Sequence, residues 1–424
     1  MQIIIVLSFL LFMSWSEMTV ARAQISRDGS LSLSEAIAEA LKNNPEIQAA
    51  KNKVDSARAR AKQATYLEDP ELNIEAWGVP LNHPVKYRSA NPLIIGVRQK
   101  LPFFGKLGLK DEMAMQEVRM AAEELRAKEQ EVLAKVKTAY ADYFIANKSV
   151  EIYRELLELI HHTSATAAGL YQVGKAPQQD VIKALLEQTE LLNKLTWAER
   201  DVATSRARLN ALLSRAPDSF LAQPGELAVT PVKVRAADLE KLAMTQRPEL
   251  RGLESSAIRS DKAIELAQRN RKYPDFMIGM QYWVAPDQSP RHMYAPMVTL
   301  TIPFSPWTIG KHDYEIAEAL AERQSAKANL TAMKNMVLFE IRDMSTKVEA
   351  ARRSISIYRD GLLPQAEQSF QAAVAAYQTG GVNFMTLLDA QRTIRDVRMG
   401  YYKALVDYEQ SRAELERAVG KELQ

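Results

Sequence analysis

Histidine and acidic residues are the groups that could hold a metal or move protons in this chain, and their spacing supports neither role. The sequence contains five histidines, and none falls in a metal-ligand spacing such as H-E-x-x-H. His161 and His162 are adjacent, which on a helix points the two rings to different sides and disfavours joint ligation. The glutamates lie beside Lys and Arg on predicted helix faces and are interpreted as solvated surface. Because no phosphate-binding loop or nucleophile motif occurs either, the sequence predicts no enzyme and no cofactor.

Charge and cysteine content narrow the class further. The 424 residues carry 55 Lys and Arg against 52 Asp and Glu, a net charge of +3, which is too weak for a surface that binds nucleic acid. They include no cysteine, which excludes disulfides, thiolate metal sites and a lipid-modified cysteine within them. The 16 methionines are scattered, and we interpret them as packing residues rather than a copper pathway.

Two short motifs, YQVG and YQTG, mark predicted turns between helices. The first runs from Tyr171 to Gly174 and the second from Tyr377 to Gly380. Glycine permits the left-handed conformation that such a turn commonly needs, so Gly174 and Gly380 are predicted turn residues. The two tyrosines are predicted to pack against these turns rather than to contact a partner.

The motifs belong to a repeat that covers half the chain. The run that begins at Leu33 resembles the run that begins at Leu239, and NPEI at 44–47 matches RPEL at 247–250. The matched residues are 203 to 206 positions apart, so the chain is predicted to be a tandem duplication. The predicted units are a first repeat at 24–214, a proline-containing linker at 215–235 and a second repeat at 236–420.

Each repeat is predicted to be mainly α, with a small β part. Predicted helices cover about 34–66, 107–170, 178–214, 236–272, 310–376 and 384–419. In the first long helix apolar residues recur every seven positions, at Val118, Leu125, Val132, Ala139, Ala146, Tyr153 and Ile160. The next helix carries apolar residues at similar spacing, namely Val181, Leu185, Leu192, Leu195, Val202, Leu209 and Leu213. The pattern predicts an antiparallel coiled-coil hairpin of about 90 Å, which needs neighbours to bury its seam.

Four strand-like segments are predicted at about 71–79, 92–101, 275–284 and 295–303. Their side chains alternate, so that Leu72 and Ile74, for example, share one face while Glu71 and Asn73 share the other. Alternation alone favours a soluble sheet with one buried face, but two strand pairs tied to long helices favour a lipid-facing barrel with a wet lumen. Four strands cannot close a barrel, so this interpretation requires an oligomer.

The N-terminus predicts export from the cytoplasm. Residues 3–15 are almost wholly apolar, and Ala21 and Ala23 supply the small side chains of a cleavage site. This pattern predicts a signal peptide at 1–23. The alternative is an N-terminal membrane anchor, for which an apolar run of about 13 residues is short compared with the roughly 20 that a span needs.

Four motifs occur in order and are duplicated along the chain. They are the repeat opening LSLSEAIAEALKNNPEI, the hairpin exit LPFFGK at 101–106 with its partner IPF at 302–304, the tip sequence at 171–180, and the second tip sequence at 377–392. Through these motifs nearly all of residues 31–420 resemble the TolC family of outer-membrane efflux proteins.

The resemblance implies a homotrimer in the outer membrane. Its four strands per chain would join a 12-stranded transmembrane β-barrel in contact with outer-membrane lipid, and its helices would form a periplasmic α-barrel. It also implies an export duct of a tripartite efflux system, with a periplasmic adaptor protein and an inner-membrane pump of RND type as partners. Energy would come from that pump.

The resemblance further implies a gate at the periplasmic helical tip. Family ducts close their mouth with tyrosine, aspartate and arginine contacts, and Tyr377 and Asp389 match that pattern. Val382 and Thr386 stand where an arginine and a further aspartate often occur, while Asp180 holds in the first repeat the position of Thr386. Three copies of Asp180 or Asp389 could form an acidic ring that admits cations. The alternative is that both are helix-cap or surface carboxylates.

One other class of protein competes with the duct, and the cargo stays open. A soluble periplasmic coiled-coil protein, either an adaptor or a structural protein, would also contain a long helical hairpin. An adaptor would carry one hairpin and a separate β-domain, so the duplicated hairpins and strand pairs disfavour it. The LPFFGK exit resembles the branch that serves metal-cation pumps, but drug, solvent and protein export use the same scaffold.

Overall fold

The computed structural model describes residues 29–79, 91–229, 235–285 and 288–423. The predicted signal peptide therefore lies outside the described residues. The helices are α1 Leu33–Asn43, α2 Pro45–Ala64, α3 Lys106–Gln172, α4 Gln178–Leu212, α5 Ala236–Gln246, α6 Pro248–Lys272, α7 Ile309–Ile357, α8 Leu363–Gln378 and α9 Phe384–Val419. The strands are β1 Glu71–Ala76, β2 Leu93–Leu101, β3 Phe276–Val284 and β4 His292–Leu300. Each half has two helices, two strands and a long helical hairpin in the same order, so the predicted two-repeat, mainly helical fold is confirmed.

The opening helix of each repeat is broken before a proline, where the sequence pattern had predicted one continuous helix over 34–66 and over 236–272. Asn44 and Arg247 have extended backbone, with ψ of 125° and 120°. A proline disfavours helical geometry in the residue before it, which explains both breaks. The Asn44 side chain then accepts a hydrogen bond from the Glu46 amide at 2.8 Å and caps the helix that follows.

The long helix of the first repeat is continuous, and that of the second is not. α3 has 67 residues, which corresponds to about 100 Å, and its predicted seam is confirmed where Val132, Ala139 and Ile160 are buried. The helix predicted at 310–376 is instead interrupted by a π-helical turn at Tyr358–Leu362, between α7 and α8. None of the described helices is both long and apolar enough to cross a membrane.

The seam predicted for α4 is wrong in part. Leu185 and Leu192 are 52% and 50% exposed, whereas the buried residues of this helix are mostly small or polar: Ala184, Glu187, Leu191, Ala198, Ser205, Leu209 and Asn210. The more apolar face of α4 therefore lies on the outside of the single chain. Hydrophobic periodicity identifies a stripe but not its partner, and here two stripes compete for the core.

The four strands form one antiparallel sheet in the order β1-β2-β3-β4. The strands of the two repeats join where β2 pairs with β3 over their full length, from Leu93 opposite Val284 to Leu101 opposite Phe276. The strand predicted at 295–303 is shifted, because pairing already begins at His292. The strand predicted at 71–79 ends at Ala76, since Gly78 turns the chain with φ of 67°.

The apolar face of this sheet is its exposed face. Leu72, Met280 and Val298 are 67%, 56% and 69% exposed, and the pairing register places such residues opposite one another on one side. Side chains of the polar face, such as Arg98 and Gln281, are only partly exposed. A sheet in water has the opposite arrangement, since burial of apolar area is what stabilises it.

The LPFFGK segment fixes the sheet to the helices. Phe103 stacks on Tyr273, with ring centroids 4.4 Å apart. Lys106, which is 3% exposed, donates from Nζ to the Asp275 carboxylate at 2.8 Å and to the Tyr273 carbonyl at 2.9 Å. The first repeat therefore inserts a charged side chain beneath the first strand of the second repeat.

We expect Lys106→Met to destabilise this junction by about 1–3 kcal/mol, because the Asp275 carboxylate would keep its place without its partner. The folded protein in detergent should lose its native electrophoretic mobility at a lower temperature. Lys110→Met, at an exposed position one turn away, is the matched control. An equal shift in both variants would contradict the assignment.

Among the described residues, three large apolar cores lie along the length of the helices. The first-repeat core includes Ala36, Ile47, Val136 and Leu209, and the second-repeat core includes Leu239, Leu250, Ile341 and Tyr408. The third, here called the tip core, contains α3, α4, α8 and α9 residues. It therefore holds the hairpins of both repeats together within one chain. Its members are Ile152, Leu156, Ile160, Ala167, Ala184, Leu191, Ala366, Phe370, Ala373, Tyr377, Phe384, Leu387, Leu388 and Ile394.

The described part of the predicted linker is packed against the first repeat. Leu221 and Ala222 are buried in the first-repeat core, and the Leu31 carbonyl accepts hydrogen bonds from the Gly225 amide at 3.1 Å and from Tyr140 Oη at 2.7 Å. The segment therefore holds the start of the described chain against the first repeat and also connects the two repeats.

The interpretation of the glutamates as solvated surface is wrong at the contact between the repeats. Glu416, on α9, has a side chain that is 1% exposed. It accepts a hydrogen bond from Lys137 Nζ of α3 at 2.5 Å and pairs with Arg412 at 3.2 Å. A carboxylate in that position is tolerated because cations from its own and the opposite helix surround it.

Candidate functional site: the helical tip

The helical tip is formed by the turns of the two hairpins and the first turns of the helices that follow them. α3 ends at Gln172 and α4 begins at Gln178, while α8 ends at Gln378 and α9 begins at Phe384. Gly174 and Gly380 have φ of 71° and 75°, the left-handed geometry that the turn prediction required. Two motifs far apart in sequence therefore form equivalent turns.

The two tyrosines of these turns have different surroundings. Tyr171 is 45% exposed, whereas Tyr377 is 4% exposed and packs edge-on against Phe384 with ring centroids 5.5 Å apart. The position equivalent to Phe384 in the first repeat is Gln178, which offers no ring to pack against. The prediction that both tyrosines pack on their turns thus describes Tyr377 only.

Asp180 and Tyr377 come from different hairpins and lie close enough to influence each other. Burial raises the pKa of the Tyr377 phenol, and the negative charge of Asp180 raises that pKa further. Burial also raises the pKa of Asp180, against the opposing charge of Lys183. Among the described residues the Tyr377 hydroxyl has no hydrogen-bond partner, so it is a buried polar group beside a carboxylate.

Asp389 is placed differently from Asp180. It is exposed on the second turn of α9. The pKa of Arg392 is raised mainly by its hydrogen bond to Glu187 and, to a smaller extent, by the nearby charge of Asp389. Within the single chain, the structure brings Tyr377 close to Asp180, whereas Asp389 stays at the surface. At the equivalent of Asp180 in the second repeat, Thr386 donates from its amide to the Asn383 side chain at 2.9 Å, an ordinary helix cap.

A buried ion pair, not anticipated from the sequence, joins the two hairpins below their turns. Glu187 of α4 is 2% exposed. Its Oε2 accepts hydrogen bonds from Arg392 of α9, from Nη2 at 2.5 Å and from Nε at 3.1 Å, and Arg395 lies 3.9 Å from its other oxygen. The sequence signal was available, since Glu187 lies between Ala184 and Leu191 at heptad spacing. The apolar periodicity instead predicts a seam at the adjacent leucines, Leu185 and Leu192.

Arg398 adds a second connection at the lower edge of the tip core. Its Nη1 lies 3.0 Å from Glu155 of α3, and its Nη2 lies 3.1 Å from Glu367 of α8. These side chains are about one third to one half exposed, so each pair contributes little by itself. Together with Glu187 they hold α9 against both the first hairpin and α8.

We expect the packing of the helical tip around Asp180 to weaken as pH rises. Because the pKa of Asp180 is raised in the folded chain, the packed tip binds the proton more tightly than a separated tip does. The stability of the packed tip is therefore highest below the ordinary aspartate pKa and falls as pH rises through the raised one. Hydrogen exchange of the amides at the start of α4, corrected for the pH dependence of the intrinsic exchange rate, should therefore become faster as pH rises.

Asp180→Asn should remove that pH dependence and slow exchange at neutral pH, since no charge is then formed beside the tyrosine. Asp389→Asn, at the exposed position, is the matched control and should leave the pH dependence in place. Retention of the full pH dependence in Asp180→Asn would contradict the assignment.

The described residues offer no alternative chemistry. No group of three or more His, Asp or Glu side chains in the described ranges is arranged to hold a metal ion. The rings of the adjacent His161 and His162 are perpendicular, with centroids 6.1 Å apart, and both residues are exposed. What the tip geometry can do is hold two hairpins together, or release them.

A duplicated chain with long helical hairpins, one four-stranded sheet and paired helical turns defines a class of efflux proteins. The outer membrane efflux protein family matches residues 36–215 and 241–421, and the chain belongs to this family. The membership confirms the family predicted from the sequence motifs. It also supports an efflux protein of the outer membrane over both an enzyme and the soluble coiled-coil alternative.

Individual relatives span almost the whole chain. The cobalt-zinc-cadmium resistance protein CzcC of Cupriavidus metallidurans is 23% identical over 394 residues, which cover 93% of this chain and 91% of CzcC. The crystal structure of CusC matches with a TM-score of 0.78 at 20% identity and covers 92% of each chain. The outer membrane protein VceC of Vibrio cholerae matches with a TM-score of 0.75 at 19% identity, over 92% of this chain and 97% of VceC.

Proposed function

We propose that three copies of this chain form the outer-membrane duct of a tripartite efflux system, through which substrates pass from the periplasm to the outside. The observation that carries the proposal is the orientation of the sheet. Its apolar side chains are exposed, up to 69% at Val298, and its polar side chains are sheltered. This is the arrangement of a barrel wall with lipid outside and water inside.

The free edges of the sheet support an oligomer. In the described part of the chain, β1 pairs only with β2, and β4 pairs only with β3. Unpaired strand edges cannot face lipid, because no water is present there to satisfy the backbone groups. β1 and β4 run antiparallel, so β4 of one copy can pair with β1 of the next. Three copies would give 12 strands, a number that can close around a lumen.

The exposed stripe of α4 supports the same assembly in the helical part. Ile182, Leu185 and Leu192 are 58%, 52% and 50% exposed, and on α7 Phe339 is 66% exposed. Contiguous apolar side chains on a long helix call for a packing partner. In a closed ring of hairpins the next copy supplies that partner, so the helices would form a periplasmic tunnel beneath the barrel.

The helical tip would be the gate of this duct. The tip core and the pair of Glu187 with Arg392 both hold the second hairpin against the first. With these contacts in place the mouth is narrow, and their separation would widen it. Asp180 and Asp389, repeated three times, would give the mouth an acidic lining that favours cations.

The partners would be a periplasmic adaptor protein and an inner-membrane pump of RND type that supplies the energy. Exposed tip residues such as Tyr171 are available for an adaptor. For the cargo we propose metal cations, because the relative CzcC is named as a cobalt-zinc-cadmium resistance protein and the proposed mouth is acidic.

Conductance and metal tolerance test the proposal together. Purified protein added to a planar bilayer should insert and give discrete conductance steps. Deletion of the gene should lower the tolerance of the host to zinc, cobalt or cadmium, and complementation should restore it. Absence of conductance would overturn the duct. Conductance together with unchanged metal tolerance would overturn only the metal cargo.

A further inference from the structure

Among the described residues, the π-helical turn at Tyr358–Leu362 occurs only in the second repeat. At the offset of 206 positions that relates the two tip motifs, the equivalent residues of the first repeat lie inside the continuous helix α3. The difference has a cause in the sequence. Pro364 has no amide hydrogen, and in an α-helix its ring would collide with the carbonyl of Asp360. The chain adopts a wider turn instead, in which the Leu363 amide donates to the Tyr358 carbonyl, five residues back.

Tyr358, at the start of this turn, packs against a glycine of the opposite helix. A Cβ atom added to Gly400, in the middle of α9, would lie 2.4 Å from Tyr358 Oη and 2.6 Å from Cζ. Glycine inside a helix lowers its stability relative to alanine, so a glycine at this point indicates a packing requirement. In the first repeat the equivalent position is Lys194, whose side chain leaves no comparable space for a ring.

The π turn and Gly400 lie at the same level, at the boundary between two cores. On the α7–α8 side, Ile355 belongs to the second-repeat core and Ala366 to the tip core. On α9, Ile394 belongs to the tip core and Ala404 to the second-repeat core. Both sides of the hairpin therefore pass from the second-repeat core to the tip core at the level of the π turn and Gly400.

We infer that the π turn at Tyr358–Leu362, seated on Gly400, is the pivot about which the α8–α9 hairpin moves against the remainder of the chain. The inference rests on the proposed function, for which it supplies the hinge of the gate. Helices bend at π turns and are locally less stable at a glycine, and each helix of this hairpin has one such point. Movement about the pivot would separate the pairs of Arg392 with Glu187 and of Arg398 with Glu155, while the second-repeat core stays packed.

Spin labels can locate the pivot directly, because the chain contains no cysteine and a single engineered one is uniquely labelled. One label replaces Gln371, exposed on α8 above the pivot, and another replaces Lys347, exposed on α7 below it. Distances between the copies are measured in lipid nanodiscs for the parent protein, Gly400→Ala and Pro364→Ala. Gly169→Ala is the matched control, since a Cβ at that helical glycine has nothing within 4 Å.

The pivot predicts that Gly400→Ala and Pro364→Ala change the distances at position 371 and leave those at 347 unaltered. They should also change the open fraction of the channel by about fivefold or more, with Gly169→Ala like the parent. Two results would overturn the pivot. In the first, Gly400→Ala and Pro364→Ala give the same distances as Gly169→Ala at both labelled positions. In the second, the distances at 371 and 347 change together. Pro364→Ala keeps the test valid if Gly400→Ala does not fold. The distance measurement does not depend on conductance. If the protein did not conduct, the duct proposal would fail, but the distances would still test the pivot.

Discussion

Glu187→Gln is expected to open the helical tip and raise the ion leak through the channel. The glutamate side chain is 2% exposed, while that of Arg392 is 43% exposed. Removal of one partner from a fully buried pair typically costs about 3–5 kcal/mol. Since solvent screens the arginine side of this pair, we expect a smaller effect of about 1–2 kcal/mol. That energy corresponds to about a 5- to 30-fold increase in the ratio of open to closed tips.

Single-channel recording in planar bilayers measures this ratio, and sensitivity of cells to large antibiotics that normally do not cross the outer membrane gives a second readout. Glu190→Gln is the matched control, since Glu190 lies one turn away on the exposed side of α4. If Glu187→Gln and Glu190→Gln gave the same open fraction, the ion pair would have no part in closing the tip.

Met280→Lys should prevent insertion of the protein into the outer membrane. Met280 is 56% exposed on the apolar face near the middle of β3, where we place the lipid. A lysine on the lipid-facing side of a barrel costs about 2–4 kcal/mol near the bilayer midplane, and a trimer would carry three copies. Membrane fractions should then contain little folded protein, and degradation products should increase.

Gln281→Lys is a sharp control for this experiment, because the next residue along a strand points to the opposite face. Gln281 Oε1 accepts a hydrogen bond from Trp283 at 3.3 Å, so its replacement costs about 1 kcal/mol and should permit assembly. The reverse result, with Gln281→Lys excluded and Met280→Lys inserted, would mean that the faces of the sheet are assigned the wrong way round.

The repeat architecture was predictable because it depends on local and periodic signals. A heptad seam such as Val132, Ala139 and Ile160 appears in the sequence as a spacing of seven, and a turn between helices appears as a glycine at Gly174 or Gly380. Strand alternation placed Leu72 and Ile74 on one face. These signals depend on backbone geometry, which the chain carries with it wherever it packs.

The other features of the fold and of the tip depend on which helix faces pack together, which the sequence pattern does not show. α4 carries an apolar stripe and a stripe of small residues, and only the positions of α3 and α9 decide that Ala184 and Glu187 lie inside while Leu185 lies outside. In the sequence Glu187 is one of many glutamates on helices, and nothing there indicates that Arg392, 205 positions away, lies beside it in the fold. The π turn likewise needed Gly400 to be in place. Asp389 was matched by motif alone, and its part in a gate stays a prediction.

The central claim, a barrel closed by three chains, is tested most directly by crosslinks between strand edges. Asn73→Cys on β1 and Ala295→Cys on β4 introduce thiols on the same face of opposite edges. Within one chain three strand spacings, about 14 Å, separate the two positions, which is too far for a disulfide. Any disulfide must therefore join different chains, and partner positions 293 and 297 cover neighbouring registers.

Mild oxidation of isolated outer membranes, followed by denaturing electrophoresis, gives the answer. The account predicts a ladder of covalent species that stops at three chains for at least one of these cysteine pairs, with no crosslink in either single-cysteine variant beyond background. Monomeric protein at every register, or its release with the soluble periplasmic fraction, would contradict the account.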